Sequence, residues 1–129
     1  MAKPVDMELK KAFMELQAKM VESTKKMNTI DTQIIGLESA QRIVEATQRQ
    51  VSALPLDTRV YETFGRMFVL SDLDEVNTNL AARNESLKAK QAKLEKNKKH
   101  VEKNVKDHED NIREIEFCTK LLTTCCHKY

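Results

Sequence analysis

"YETFGRMFVL", residues 61–70, decides the fold. It is β-branched and aromatic on both sides of Gly65-Arg66, in a chain that otherwise reads as helix. A two-residue loop led by Gly fits a type II′ hairpin turn. That turn pairs Phe64 with Met67, Thr63 with Phe68, Glu62 with Val69 and Tyr61 with Leu70. Strand side chains alternate, so one face carries Val60, Phe64, Met67 and Val69, and the other Tyr61, Phe68 and Leu70. Both faces are apolar and both edges are open. Such a two-stranded ribbon does not stand alone in water, and no other segment of the chain reads as strand. The missing strands are therefore expected from other chains. Val60, Tyr61, Phe64, Gly65, Met67, Phe68, Val69 and Leu70 are the candidate assembly residues. The alternative, a ribbon packed down on its own helices, is disfavoured because the helix seams are too narrow to cover it.

Working upstream, "LPLDT" (54–58) ends a first helix, because Pro55 cannot continue it and Leu54 is pushed towards extended geometry. That helix is read over 6–51, with Asp6 as its N-cap. Its seam, at alternating spacings of three and four, is Phe13, Leu16, Met20, Ser23, Met27, Ile30, Ile34, Leu37, Gln41 and Val44. Eight of these ten are apolar, which argues a coiled coil. Gly36 interrupts it at a cost, unless something approaches closely there. Downstream of the linker and hairpin (54–71), Ser71 or Asp72 caps a second helix over 73–117. One column repeats every seven residues: Leu73, Leu80, Leu87, Leu94, Val101, His108, Ile115 and Leu122. Its companion is read as Val76, Arg83, Lys90, Asn97, Asn104 and Asn111, largely polar. The apolar stripe broadens again towards the C-terminus. Equal helices about a compact connector predict an antiparallel pair, with Phe13 near Ile112 and Leu37 near Leu87, and the chain's two ends together. Residues 118–129 are read as a tail of uncertain order.

Composition supports one domain, mainly α, of long helices. The chain has 129 residues with 33% charged, 5% aromatic, 2 Gly, 2 Pro and no Trp. So few large apolar side chains leave a lone chain little to bury. The net charge of +2 carries no polyanion-binding signature. No stretch reads as a signal peptide or a membrane span, so the cytosol is expected, with the nucleus as an alternative. Cys118, Cys125 and Cys126 form no disulfide framework. Cys125-Cys126-His127 gives no metal-ligand spacing, and the residues after Cys126 do not fit prenylation.

The order helix, "LPLDTRVYETFGRMFVL" (54–70), helix resembles the β-type subunits of the prefoldin family. "PVDMELKKAFMELQAKM" (4–20) and "EDNIREI" (109–115) add to the likeness, which covers residues 4–117. The single hairpin resembles the β-type and not the α-type subunit. The resemblance implies a central hairpin that joins an intersubunit β-barrel, in a heterohexamer of α-type and β-type subunits. It implies an ATP-independent co-chaperone whose coiled-coil ends hold non-native proteins, notably actin and tubulin. It also implies delivery of these to the cytosolic group II chaperonin.

The mechanism expected is capture without chemistry: exposed apolar side chains at the chain ends bind apolar surface of an unfolded client, and several weak ends add by avidity. The candidate client-binding residues are Val5, Met7, Leu9, Phe13, Ile112, Ile115, Phe117, Leu121 and Leu122. The plainer reading for Leu9, Phe13, Ile112 and Ile115 is burial in the seam. No phosphate loop, dinucleotide pattern or nucleophile context points to an enzyme, and no catalytic residue, cofactor or metal ligand is expected. His100, His108 and His127 read as solvated or seam residues. "KAKQAKLEKNKKHVEKNVK" (88–106) carries eight lysines and two glutamates, without arginine or aromatic. Its lysines spread around the helix, so a solvated face is expected rather than a nucleic-acid site. The competing reading of the whole chain is a structural coiled-coil adaptor whose hairpin only caps the helix turn.

Overall fold

The computed structural model describes residues 4–126, with side chains described from 7 to 125. The element order is α1 (Pro4–Ser52), β1 (Val60–Phe64), β2 (Met67–Ser71) and α2 (Leu73–Cys126). Two long helices flank one antiparallel hairpin, as the sequence predicts. The bounds differ chiefly at two helix ends. Helix α1 starts at Pro4, so Asp6 is inside the helix and does not cap it. Proline suits a first turn because its fixed φ is helical and its missing N–H has no helical partner to lose. Helix α2 runs on through Cys126, past residue 117. At its start the Val76 N–H donates to the Asp72 carbonyl at 3.0 Å, which puts Asp72 at the N-cap. Ser71 is the last residue of β2 and pairs with Val60.

Between α1 and β1 the chain turns tightly. Ala53 N–H donates to the Arg49 carbonyl and Leu54 N–H to that of Val51, both at 3.2 Å. Pro55 then stops the helix, and the Thr58 N–H donates to the Pro55 carbonyl at 3.0 Å to close a β-turn. The hairpin register is the predicted one: Tyr61 with Leu70, Glu62 with Val69, Thr63 with Phe68, Phe64 with Met67. Gly65 has φ 61° and is the one described residue with positive φ. A type I′ turn needs positive φ at both loop residues, so Gly65-Arg66 makes the II′ form.

Two compact units divide the chain. One comprises Thr32–Glu95 and holds the hairpin. The other is built from the segment up to Asp31 and the segment from Lys96 onward. Along α1 the predicted seam is the covered face: Phe13 through Gln41 are half-buried at the expected spacing, and Val44 is buried. Along α2 the leading column is covered from Leu73 to Ile115, but Leu122 is 59% exposed and leaves it. In the companion column Val76 is buried and Asn104 half-buried, as expected, but the other four positions differ from expectation by one residue. Arg83, Lys90, Asn97 and Asn111 are exposed, while Asn77, Asn84, Gln91, Lys98, Val105 and Ile112 are covered. The seam steps by four and then three from Leu80, not by three and then four. Its polar members are thus Asn77, Asn84, Gln91 and Lys98.

These polar members set the register. In the hairpin unit Gln41 Nε2 donates to Gln91 Oε1 at 2.7 Å, and Gln91 Nε2 donates to Glu95 at 3.1 Å. In antiparallel packing this puts Leu37 against the Leu94 layer, not against Leu87. The expectation took the middle of the connector as the fold point. The strand pairs and the glutamine pair instead fold the chain about Gly65-Arg66. In the other unit Lys98 Nζ meets Asp31 at 2.8 Å, with both side chains about two-thirds covered. There, too, an exposed Glu22–Lys26 pair at 2.7 Å holds the Glu22 carboxyl below its ordinary value, chiefly through the Lys26 hydrogen bond.

Candidate functional site

Two places gather exposed apolar side chains. The first is the hairpin. On one face Phe64 and Met67 are 68% and 67% exposed; on the other Phe68 is 74% exposed. Tyr61, Val69 and Leu70 are also exposed, and Val60 is half-buried. Strands β1 and β2 pair only with each other, so both outer edges keep free backbone donors and acceptors. The ribbon is not folded down on the helices. The sequence reading missed Leu54 and Leu56, which precede β1 and extend the apolar surface; Leu56 is the most exposed large apolar side chain among those described. Their signal was present in "LPLDT", where two leucines flank a proline outside any helix or strand.

The second place lies in the unit of the chain ends. An open hollow of about 590 Å³ is lined by Met7, Leu9, Lys10 and Phe13 of α1 and by Ile115, Glu116, Thr119, Lys120 and Thr123 of α2. The structure therefore brings Met7, Leu9, Phe13 and Ile115 together. Leu9, Phe13 and Ile115 are half-buried in the seam, whereas Met7 is exposed. Ile112 is a half-buried seam residue outside this hollow. Phe117, Leu121 and Leu122 are exposed and do not line it. The side chains of Val5, Cys126 and His127 lie outside the described residues.

The described residues hold no cluster of three or more His, Cys, Asp or Glu that suits a metal ion. His108 sits half-buried in the seam, and its Nδ1 has no hydrogen-bond partner. No described helix is long and apolar enough to cross a membrane. What the arrangement offers is surface: a two-stranded ribbon with both edges unpaired, and an apolar hollow between two helix ends.

Residues 14–115 match the family model described as Prefoldin subunit. Prefoldin subunit 1 of Tetraodon nigroviridis and that of Danio rerio are each 45% identical to this chain over 80 residues, 62% of this chain and 66% of theirs. Prefoldin subunit 1 of Homo sapiens is 40% identical over the same extent. The chain thus spans a little under two thirds of the length of these relatives. Among solved structures, the prefoldin beta subunit from Thermococcus strain KS-1 superposes with a TM-score of 0.75 at 17% identity, covering 80% of this chain and 90% of that one. The beta2 subunit from the same strain gives 0.62 at 20% identity, covering 70% and 97%. At those identities the likeness is one of fold, and it is the β-type fold with a single hairpin.

Proposed function

This chain belongs to the prefoldin subunit family, and from that membership we propose that it is a β-type subunit of a heterohexameric co-chaperone. The observation that carries this reading is the hairpin, whose faces are both apolar and exposed and whose edges are both unpaired. Ribbons with those properties are completed by further strands, here from sibling α-type and β-type subunits in a closed barrel. The assembled particle holds non-native proteins, actin and tubulin among them, without ATP, and passes them to the group II chaperonin of the cytosol.

The client surface is the hollow of Met7, Leu9, Phe13 and Ile115, with Val5, Ile112, Phe117, Leu121 and Leu122 as its further candidates. Met and Phe suit an unspecific client because their side chains re-pack around different partners. No side chain is assigned a catalytic role. Binding at each end is weak, and several ends acting together supply the affinity.

The test is the mass of the purified chain, alone and mixed with candidate α-type and β-type subunits, by light scattering. Entry into a stable six-chain particle is the expected result. A well-behaved homodimer that ignores every sibling would leave the structural adaptor in its place.

A further inference from the structure

Helix α2 carries an outward basic face that lines neither the hairpin nor the hollow, although it runs on to Phe117 and Leu121, already candidates for the client surface. Lys96, Lys99, Lys103 and Lys106 follow one another at spacings of three, four and three, so they share one side of the helix. All four are exposed, and all lie in the unit of the chain ends. The sequence reading had the lysines of this run spread around the helix. The run as a whole does spread, with Lys90 and Lys93 on other sides of the helix and Lys98 turned into the seam to meet Asp31, and these four are the subset that line up.

None of the four has an ion pair among the described residues. The carboxylates beside them are engaged elsewhere: Glu95 accepts from Gln91 at 3.1 Å, and Glu102 lies 3.9 Å from Lys98. Asp107 flanks the stripe without bridging to it. Like charges at i,i+3 and i,i+4 work against a helix. Glu109 and Asp110 follow Lys106 by three and four residues without bridging to it, Asp110 lying 3.9 Å from Arg113, so the four like charges stand in one column without an ion pair among the described residues. The same side of α2 continues through Asp110 and Glu114 to Phe117 and Leu121, both exposed. It is basic for about 15 Å at 1.5 Å per residue, acidic at the next two positions, and apolar beyond them.

We propose that this face docks an acidic segment of a partner protein, with its carboxylates along Lys96, Lys99, Lys103 and Lys106 and an apolar end on Phe117 and Leu121. A nucleic acid fits less well. The stripe is single-file and lacks arginine and aromatic side chains for bases. A phosphate backbone that continued along the helix would also run into Asp110 and Glu114. A protein segment can change character along its length as this face does, with carboxylates on the lysines, uncharged residues beside Asp110 and Glu114, and an apolar end.

The probe is a fluorescent octaglutamate peptide titrated with the full chain by anisotropy, beside a short oligothymidylate strand. Two variants of equal charge are compared: K96Q/K99Q/K103Q/K106Q on the stripe, and K10Q/K11Q/K19Q/K25Q on α1. Circular dichroism confirms that both stay helical. The expected result is peptide binding that weakens at least about tenfold in the stripe variant and far less in the α1 variant, and that falls as salt shortens the screening length. Equal losses in both variants would mean diffuse charge, and would overturn the proposal. So would no binding by the native chain, or oligothymidylate binding as tightly and losing affinity in the same variant. None of these outcomes depends on hairpin assembly, which the light-scattering masses test separately.

Discussion

At the scale of single residues, the two glycines play opposite parts. Gly65 is held at φ 61°, and a Cβ there meets no atom within 4 Å, so the objection to a side chain is conformational and not steric crowding. The left-handed region costs an ordinary L-residue about 1–2 kcal/mol. Gly65→Ala should therefore lower the hydrogen-exchange protection of the β1 and β2 amides by about tenfold, at about 1.4 kcal/mol per factor of ten. Gly65→Asn should do less harm, because asparagine visits that region more readily. Equal protection in the alanine variant would mean the turn is not set by Gly65. Gly36 is the reverse case. It lies in the middle of α1, exposed, and a Cβ there also meets nothing. Nothing in the structure explains it. Gly36→Ala should stabilise the chain by about 0.5–1 kcal/mol through helix propensity and a less flexible unfolded state. Urea denaturation followed by circular dichroism reads this directly. A fall in the midpoint would reveal a contact at Gly36 that the chain alone does not show.

At the scale of elements, the hairpin was legible to the residue, and the helix pairing was not. "FGRM" fixes its own register because one turn type satisfies Gly followed by Arg, and four pairs follow from it. The α1 seam was equally legible, because its apolar positions outnumber the polar ones and leave one way to align them. In α2 the stripe thins to one leucine per heptad, so a companion one step to either side fits the pattern. Only the contacts of Gln91 and Lys98 decide between them. Polar seam residues of this kind specify alignment at a cost in stability. Asn84 shows the cost, being 9% exposed with an Oδ1 that has no protein partner. An orphaned acceptor costs about 1–3 kcal/mol. Asn84→Leu, which continues the apolar layer beside Leu80 and Leu87, should raise the urea midpoint of the lone chain. A lower midpoint would show that the Asn84 amide is bonded and that the polar layer holds the helices together. The candidate client residues were only half legible for a related reason. Heptad spacing says that Leu9, Phe13 and Ile115 face the partner helix, but not that α2 offers Thr119 and Thr123 opposite them beyond Ile115, beside a hollow that includes Met7.

At the scale of the whole molecule, the exposed apolar side chains of the hairpin set two behaviours that one double substitution should abolish together. Alone, the chain presents Phe64, Met67 and Phe68 on a ribbon with two open edges, which is a template for pairing with copies of itself. Its apparent mass should therefore rise with concentration. With sibling subunits present, the same surface is the part expected to close into a barrel. Phe64→Ser with Phe68→Ser removes an aromatic ring from each face and leaves the backbone register, the turn and both helices intact. The variant should scatter light as a monomer across the concentrations where the parent associates, and it should fail to enter the mixed particle. Burying each aromatic side chain is worth about 1.5–3 kcal/mol at about 25 cal/mol per Å². Losing two such burials corresponds to at least about a hundredfold weaker assembly, at about 1.4 kcal/mol per factor of ten. An adaptor whose hairpin merely caps the helix turn predicts something else, since its association would run through the seam and survive the double substitution. A variant that loses self-association and still joins its siblings would place the assembly surface outside the ribbon faces, with Leu54 and Leu56 as the next residues to replace.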